Sequence, residues 1–279
     1  MSMKRRFKPA SFFTYMILIL LASTFILPLI WMLRSSLMGM KQIFRLPPEW
    51  IPNPFVWSNY SDALQRLDFA QCFKNTIIVV ILGVSGTVIT SACSAYAWAR
   101  IDWKGRNLWF ALSMSSMMLP GAVTLIPVFL GYRNAGMYDT LFPLFLAAWF
   151  GGGASNQFLL RQFLMGIPKA LDEAAYIDGA GYFRIFISIV LPLCKSALVV
   201  VGMFSFLFYW NDFFSPMIYL ENYKNYTIAL GLQSFVSQHS SQWMLLMGAV
   251  TIGVLPAIVV FLIGQKYLLE GIALTGIKG

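Results

Sequence analysis

Between Lys74 and Arg100 the chain reads Asn75-Thr76-Ile77-Ile78-Val79-Val80-Ile81-Leu82-Gly83-Val84-Ser85-Gly86-Thr87-Val88-Ile89-Thr90-Ser91-Ala92-Cys93-Ser94-Ala95-Tyr96-Ala97-Trp98, without one Asp, Glu, Lys or Arg. Crossing ~30 Å of hydrocarbon takes roughly 20 residues of helix at ~1.5 Å each. In lipid every backbone N–H and C=O must be satisfied within the segment, so such a run is a helix. Gly83, Gly86, Ser91, Ala92 and Ala95 form a stripe of small residues on which neighbouring helices can pack closely.

Comparable runs recur on either side. Phe12 to Leu33 precedes it. Leu108 to Leu130, Thr140 to Leu160, Pro192 to Asn211 and Ser240 to Gln265 follow, with Lys195 near the start of the fifth. Only 11% of the residues are charged and 58% are hydrophobic. A soluble domain carries about 25% charge, so most of this surface must meet lipid. The expectation is an all-α polytopic membrane bundle of six transmembrane helices. Residues 1–74 form an N-terminal anchor helix and outer loop, and 75–279 form the transmembrane domain. Lys4, Arg5, Arg6 and Lys8 precede the first run, but its apolar stretch exceeds the ~7–15 residues of a signal core, so it reads as an uncleaved anchor. Pro120 and Pro127 are expected to distort the third helix, and Gly151-Gly152-Gly153 to kink or closely pack the fourth.

The net charge of +9 does not indicate nucleic acid, because the cations lie between apolar spans rather than on one soluble face. With the N-terminus in the cytoplasm, thirteen Lys and Arg fall on inside segments and seven outside. The positive-inside rule therefore puts both termini in the cytoplasm. Cys72, Cys93 and Cys194 are odd in number and widely spaced, and read as packing residues. With His239 as the single histidine, no His-rich metal or catalytic cluster exists, and no metal-ligand spacing is visible. No Gly-x-x-x-x-Gly-Lys-Ser/Thr loop occurs, so ATP hydrolysis would need another polypeptide.

Two loops are long. The outer one, 34–74, holds Pro47, Pro48, Pro52 and Pro54, which favour an extended path. A short amphipathic helix is expected after them, capped by Ser58 and with Tyr60, Leu64 and Leu67 on one face. This loop reads equally as a lid or as a partner surface. The inner one, 161–192, contains Ile167-Pro168-Lys169-Ala170-Leu171-Asp172-Glu173-Ala174-Ala175-Tyr176-Ile177-Asp178-Gly179-Ala180-Gly181. Pro168 suits a first helical position, Asp172 and Glu173 suit the positive end of a helix dipole, and Gly179 suits a left-handed cap. A second helix is expected over Tyr182–Val190, with Pro192 opening the fifth span. Ala174 and Ala175 would let a partner's surface approach closely.

Glu173-Ala174-Ala175, then Gly179, Ile189 and Leu191-Pro192 at this spacing resemble the EAA loop of binding-protein-dependent ABC importer permeases. Pro47, Asn59-Tyr60, Ala63-Leu64, Pro127, Gly136-Met137-Tyr138-Asp139-Thr140 and Trp210-Asn211-Asp212-Phe213 resemble the sugar-transporting branch. The tail from Gly271 to Gly279 is similar to the maltose-type subunit. The resemblance implies a bacterial cytoplasmic-membrane permease subunit for a sugar or oligosaccharide, not itself an enzyme. It implies a second homologous permease, two ATPase subunits carrying ATP and Mg, and an extracytoplasmic solute-binding protein. The EAA loop would be the coupling helix. Glu173, Ala174, Ala175 and Gly179 would meet the ATPase, while Ile189, Leu191 and Pro192 join that contact to the span. The resemblance itself brings no cofactor to this chain, and the solute-contacting residues stay unknown.

Three alternatives remain at this level. An ion-coupled transporter would bury acids in mid-membrane, and a membrane-embedded enzyme would assemble catalytic pairs; neither pattern is visible. An importer for a non-sugar solute would share the inner loop.

Overall fold

The computed structural model describes residues 9–236 and 242–276. His239, the cations from Lys4 to Lys8 and the last three residues of the tail lie outside them. Helices account for all regular elements of more than one residue among the described residues.

The chain divides into two compact units, Met1–Asp68 with Leu232–Val254, and Phe69–Gly231 with Leu255–Gly279. The division expected at residue 74 therefore falls inside a helix. In the first unit, α1 (Pro9–Ser36) is apolar on every side, and its membrane-crossing window has no buried residue. The loop after it folds on itself through α2 (Met40–Ile43) and α3 (Ser58–Arg66). Asn59 Nδ2 donates to the carbonyls of Ser36 at 2.9 Å and Met38 at 3.0 Å, and the Val56 N–H donates to Leu37 O at 2.9 Å. Glu49 accepts from Gln42 and Arg45. The Gln42 hydrogen bond is the main cause that holds its carboxyl below the usual range, with the nearby arginines adding to it against desolvation. Ser58 is not the cap of α3: Trp57 occupies that position, and Ser58 is the first helical residue. The buried face is Asn59, Ala63 and then Leu67, while Tyr60 and Leu64 are half-buried.

The second unit is built around α4 (Phe69–Ala99). Next come α5 (Arg106–Ser115) and α6 (Gly121–Asn134), bent by 100° at Leu119-Pro120. The stretch expected as a fourth continuous span is instead α7 (Phe142–Phe145), a 3₁₀ turn over Leu146–Trp149, a break, and α8 (Ala154–Met165). At the break Gly151, Gly152 and Gly153 have φ of +107°, +68° and +86°, a region open to glycine and strained for other residues. A Cβ on Gly152 would lie 2.5 Å from Thr87 O. Carbonyls at the break are satisfied from side chains. Thr90 Oγ1 donates to Ala148 O at 2.7 Å, Gln157 Nε2 to Gly151 O at 2.7 Å, and Asn156 Nδ2 to Gly152 O at 2.8 Å. Non-helical backbone survives at membrane depth only with such partners.

Beyond α9 (Ala170–Ile177) the chain enters α10 (Tyr182–Ile185), a π-helical turn over Phe186–Val190, and α11 (Leu191–Leu193). A 78° bend then leads into α12 (Lys195–Asn211). Pro192 therefore lies inside the helix before the bend and does not open the fifth span. Its ring would clash with the carbonyl four residues back and it has no N–H to donate, and the wider π turn accommodates both. Asp212 Oδ1 accepts from the Ser215 N–H at 3.1 Å near the start of α13 (Phe214–Tyr219). After α14 (Ile228–Gly231), α15 (Trp243–Gly276) closes the chain.

Among the described residues three helices are each long and apolar enough to cross a membrane, and up to five spans result if each of the two bent pairs counts as one. The small-residue stripe of α4 is a packing surface. A Cβ on Gly83 would sit 2.6 Å from the Tyr209 ring, and one on Gly86 would sit 2.7 Å from the Trp149 indole. Cys72 and Cys194 are buried, whereas Cys93 is exposed on α4.

Candidate functional site: a seated helix and a glycine-lined cavity

Lys169 stands at the N-cap of α9, one residue after Pro168, so the proline precedes the helix rather than opening it. Asp172 and Glu173 lie in the first turn, where the dipole favours them. Gly179, at φ +80°, ends the helix. The Gly179 N–H donates to Tyr176 O at 3.0 Å and the Ala180 N–H to Ala175 O at 2.9 Å. These are the paired bonds of a Schellman cap, and they fix the angle at which the chain leaves.

The seat of this helix comes from Arg100, just past the end of α4. Its Nη1 donates to Asp172 Oδ2 at 3.0 Å, and its Nη2 donates to Leu164 O at 2.7 Å and Ile167 O at 2.8 Å. One guanidinium thus caps the end of α8 and pairs with α9. The two side chains are 3% and 11% exposed, so little water screens the pair. Ala175 packs inward with Ala95, Ala99, Leu164 and Ile185, and Ile189 and Leu191 pack against the same core. Desolvation, then the neighbouring Tyr96 and Tyr182, push the Tyr176 hydroxyl up to about 12, so it stays neutral.

The seven residues singled out in the sequence therefore separate. Ala175, Ile189 and Leu191 meet in one interior cluster, while Glu173, Ala174, Gly179 and Pro192 are exposed. Ala175 is spent on the helix's own seat, and of the alanine pair only Ala174 faces outward. Beside it stand Leu171, Ile177 at 88% exposure and Phe183 at 76%. Arg100 was legible only as an inside charge and Asp172 only as a dipole partner.

A second feature escaped the sequence. A cavity of about 410 Å³ lies between α4, α8 and α12 at the glycine break. Thr87, Asn156, Ser205 and Tyr209 bring hydroxyl and amide groups to it, and Phe204 and Phe208 bring aromatic rings; among the described residues no charged one lines it. The available signal was polar residues, Thr87 and Ser205, within apolar runs.

A family model described as the binding-protein-dependent transport system inner membrane component matches residues 86–273. The probable ABC transporter permease protein YurM of Bacillus subtilis (strain 168) is 32% identical over 273 residues, which cover 96% of this chain and 88% of that protein. The probable starch degradation products transport system permease protein AmyC of Thermoanaerobacterium thermosulfurigenes is 28% identical, over 82% of this chain and 83% of its own. One solved relative in fold belongs to a bacterial ABC transporter involved in the import of the acidic polysaccharide alginate. It has a TM-score of 0.80 at 22% identity and covers 94% of this chain and 98% of that one. With the family match running from within α4 into α15, this chain belongs to the inner-membrane permease components of binding-protein-dependent transport systems.

Proposed function

We propose that the chain is one permease subunit of an ATP-driven importer that moves a sugar or oligosaccharide across the cytoplasmic membrane, with both termini inside. A second permease completes the pathway. Two ATPase subunits, which carry ATP and Mg, dock on α9, and an extracytoplasmic binding protein delivers the solute. Glu173, Ala174 and Gly179 form the docking side, and Ala175, Ile189, Leu191 and Pro192 transmit its movement to α12.

The single observation that carries this is the seating of α9. A short helix, capped at one end and clamped by Arg100 at the other, turns Leu171, Ala174 and Ile177 outward, and Phe183 is exposed on α10 that follows. Exposed apolar side chains on a rigid loop suit a partner surface. The neutral cavity supports the solute class. Hydroxyls and amides match sugar hydroxyls, aromatic rings match the apolar faces of a pyranose, and the absence of charge in its lining does not favour an ionic solute. A relative named for starch degradation products agrees with it, and a fold relative involved in the import of the acidic polysaccharide alginate agrees with the saccharide class though not with a neutral solute.

Gly179→Val tests the coupling. No atom lies within 4 Å of a Cβ there, so the substitution acts through backbone strain alone, roughly 1–2 kcal/mol. In proteoliposomes holding the assembled transporter, uptake of a labelled oligosaccharide should fall at least tenfold while expression persists. Gly179→Asn, which tolerates the left-handed region, should retain most uptake. Unchanged uptake by the valine variant sinks the coupling role. Competition by amino acids or peptides but not by oligosaccharides sinks the sugar assignment alone.

A further inference from the structure

A smaller cavity of about 150 Å³ opens where α4 ends, and its walls carry four cations: Arg100, Arg106, Arg161 and Lys169. Two of them are balanced. Arg100 pairs with Asp172, and Arg106 pairs with Asp102 at 2.5 Å. Arg161 and Lys169 form no ion pair among the described residues. The cavity therefore holds a surplus of two positive charges. Asp172 is the nearest buried acid, but its side chain is not part of the wall, and Glu173 points to solvent.

The donors are also unsatisfied. Nε of Arg100, on a side chain only 3% exposed, is buried without a hydrogen-bond partner, and so is Nε of Arg161. Buried donors normally find acceptors, and the cost of leaving one unmade is about 1–3 kcal/mol. Arg161 is held in place, with its guanidinium carbon 4.1 Å from the centroid of the Phe110 ring. A fixed guanidinium fork matches the oxygens of a phosphate group. The volume is enough for a tetrahedral oxyanion and too little for a whole lipid.

Position adds a source for that group. The cavity sits at the polar edge of the charge-free run. Trp98, on its wall, has its ring centroid 5.5 Å from that of Trp103, and paired tryptophans at a span end mark the membrane–water boundary. On α5, Leu108, Trp109 and Leu112 are exposed, a surface against which acyl chains can lie. Basic pockets between spans recognise anionic headgroups.

We propose that this cavity binds a phosphate-class anion through Arg161 and Lys169 together with the free Nε of Arg100, either as the headgroup of an anionic phospholipid or as free phosphate. Arg100 also seats α9, so the test varies only Arg161 and Lys169, to which no docking or solute role is assigned above, and it can fail without touching the transport reading.

The test uses the full-length chain in neutral detergent. Thermal unfolding is followed while phosphatidylglycerol, phosphatidylcholine or inorganic phosphate is titrated, and native mass spectrometry counts retained lipid. Phosphatidylglycerol should raise Tm where phosphatidylcholine does not. The concentration needed should rise at least tenfold in Arg161→Gln and in Lys169→Gln, and the response should vanish in the double variant. A phosphatidylglycerol response without a phosphate response assigns the lipid headgroup, whereas a phosphate response with the same dependence on both residues assigns the free anion. Lys169 is exposed, so Lys169→Gln carries the test even if Arg161→Gln fails to fold. A parent that responds to neither probe, or variants that respond at the parent's concentrations, overturns the site.

Discussion

The two ends of α4 are fastened by opposite chemistry. At its start, Asn75 Nδ2 donates to Lys224 O at 2.8 Å and Tyr226 O at 2.9 Å, and Thr76 Oγ1 accepts from the Ile228 N–H at 2.9 Å. Nearby, Asp139 accepts from the backbone N–H groups of Glu221 and Asn222, both at 2.9 Å, and Asn225 donates to its carbonyl at 2.6 Å. This is a knot of amides, hydroxyls and one carboxylate on backbone groups, in which Thr227 Oγ1 alone is buried and unpaired. At the other end a buried ion pair does the fastening, and Arg100 Nε, Arg161 Nε and Asp172 Oδ1 are left over. A knot so nearly satisfied holds a loop in one geometry. A clamp with spare hydrogen-bonding capacity can exchange partners, as the coupling role proposed for α9 would require.

The sharpest way to break that contrast is Arg100→Gln. The change leaves Asp172 charged and buried and strips donors from the Leu164 and Ile167 carbonyls. Losing one partner of a buried pair costs about 3–5 kcal/mol. The thermal unfolding midpoint of the purified chain should fall by the largest margin of the variants considered, and Arg100→Lys, which keeps charge but not the fork, should fall in between. A midpoint within one degree of the parent would show that the pair does not seat α9.

Asn75→Ala is the matching break at the start of α4. It removes the donor to two carbonyls that are only partly buried, for about 1–3 kcal/mol. The same midpoint should fall less than in Arg100→Gln. A larger fall would reverse the ranking of the two ends.

The two ends also differ in how far they could be anticipated. The membrane class follows from runs such as Asn75–Trp98, because hydropathy is a local property of side chains. The cap at Gly179 is equally local: left-handed backbone and glycine go together. Arg100 and Asp172 are 72 positions apart, and nothing in either neighbourhood announces the other. Thr140–Leu160 illustrates a different gap. Its side chains are mostly apolar, with Asp139 just before it and no charge within it, yet three glycines with positive φ break the backbone, and hydropathy does not register backbone conformation. Their small size suits both Ala174 and Ala175 to a close approach, yet Ala175 is buried in the cluster with Ala95 and Ile185 while Ala174 is exposed, because one position along a helix changes the face.

The finest distinction between the ends is their response to acid, and Asp139 isolates it. Desolvation raises the pKa of this carboxyl, but the N–H groups of Asn222 and Glu221 and the Asn225 amide together outweigh it, so the net shift is downward from the ordinary carboxylate value of about 3.9. A depressed carboxyl contributes stability that is complete above the unfolded-state value and is lost as the pH falls through the folded one. Asp139→Asn removes this titration while keeping an acceptor oxygen and the tolerance for φ +55°. The parent's Tm should therefore exceed the variant's by a constant margin, of order 1 kcal/mol in stability, above about pH 5. That margin should shrink steadily below about pH 4. Glu49, also held below its usual range, is present in both chains and cancels in the difference. A margin that stays flat down to about pH 3 would mean that the charge of Asp139 contributes nothing to the knot, and that the start of α4 is held by the neutral groups of Asn75 and Thr76 alone.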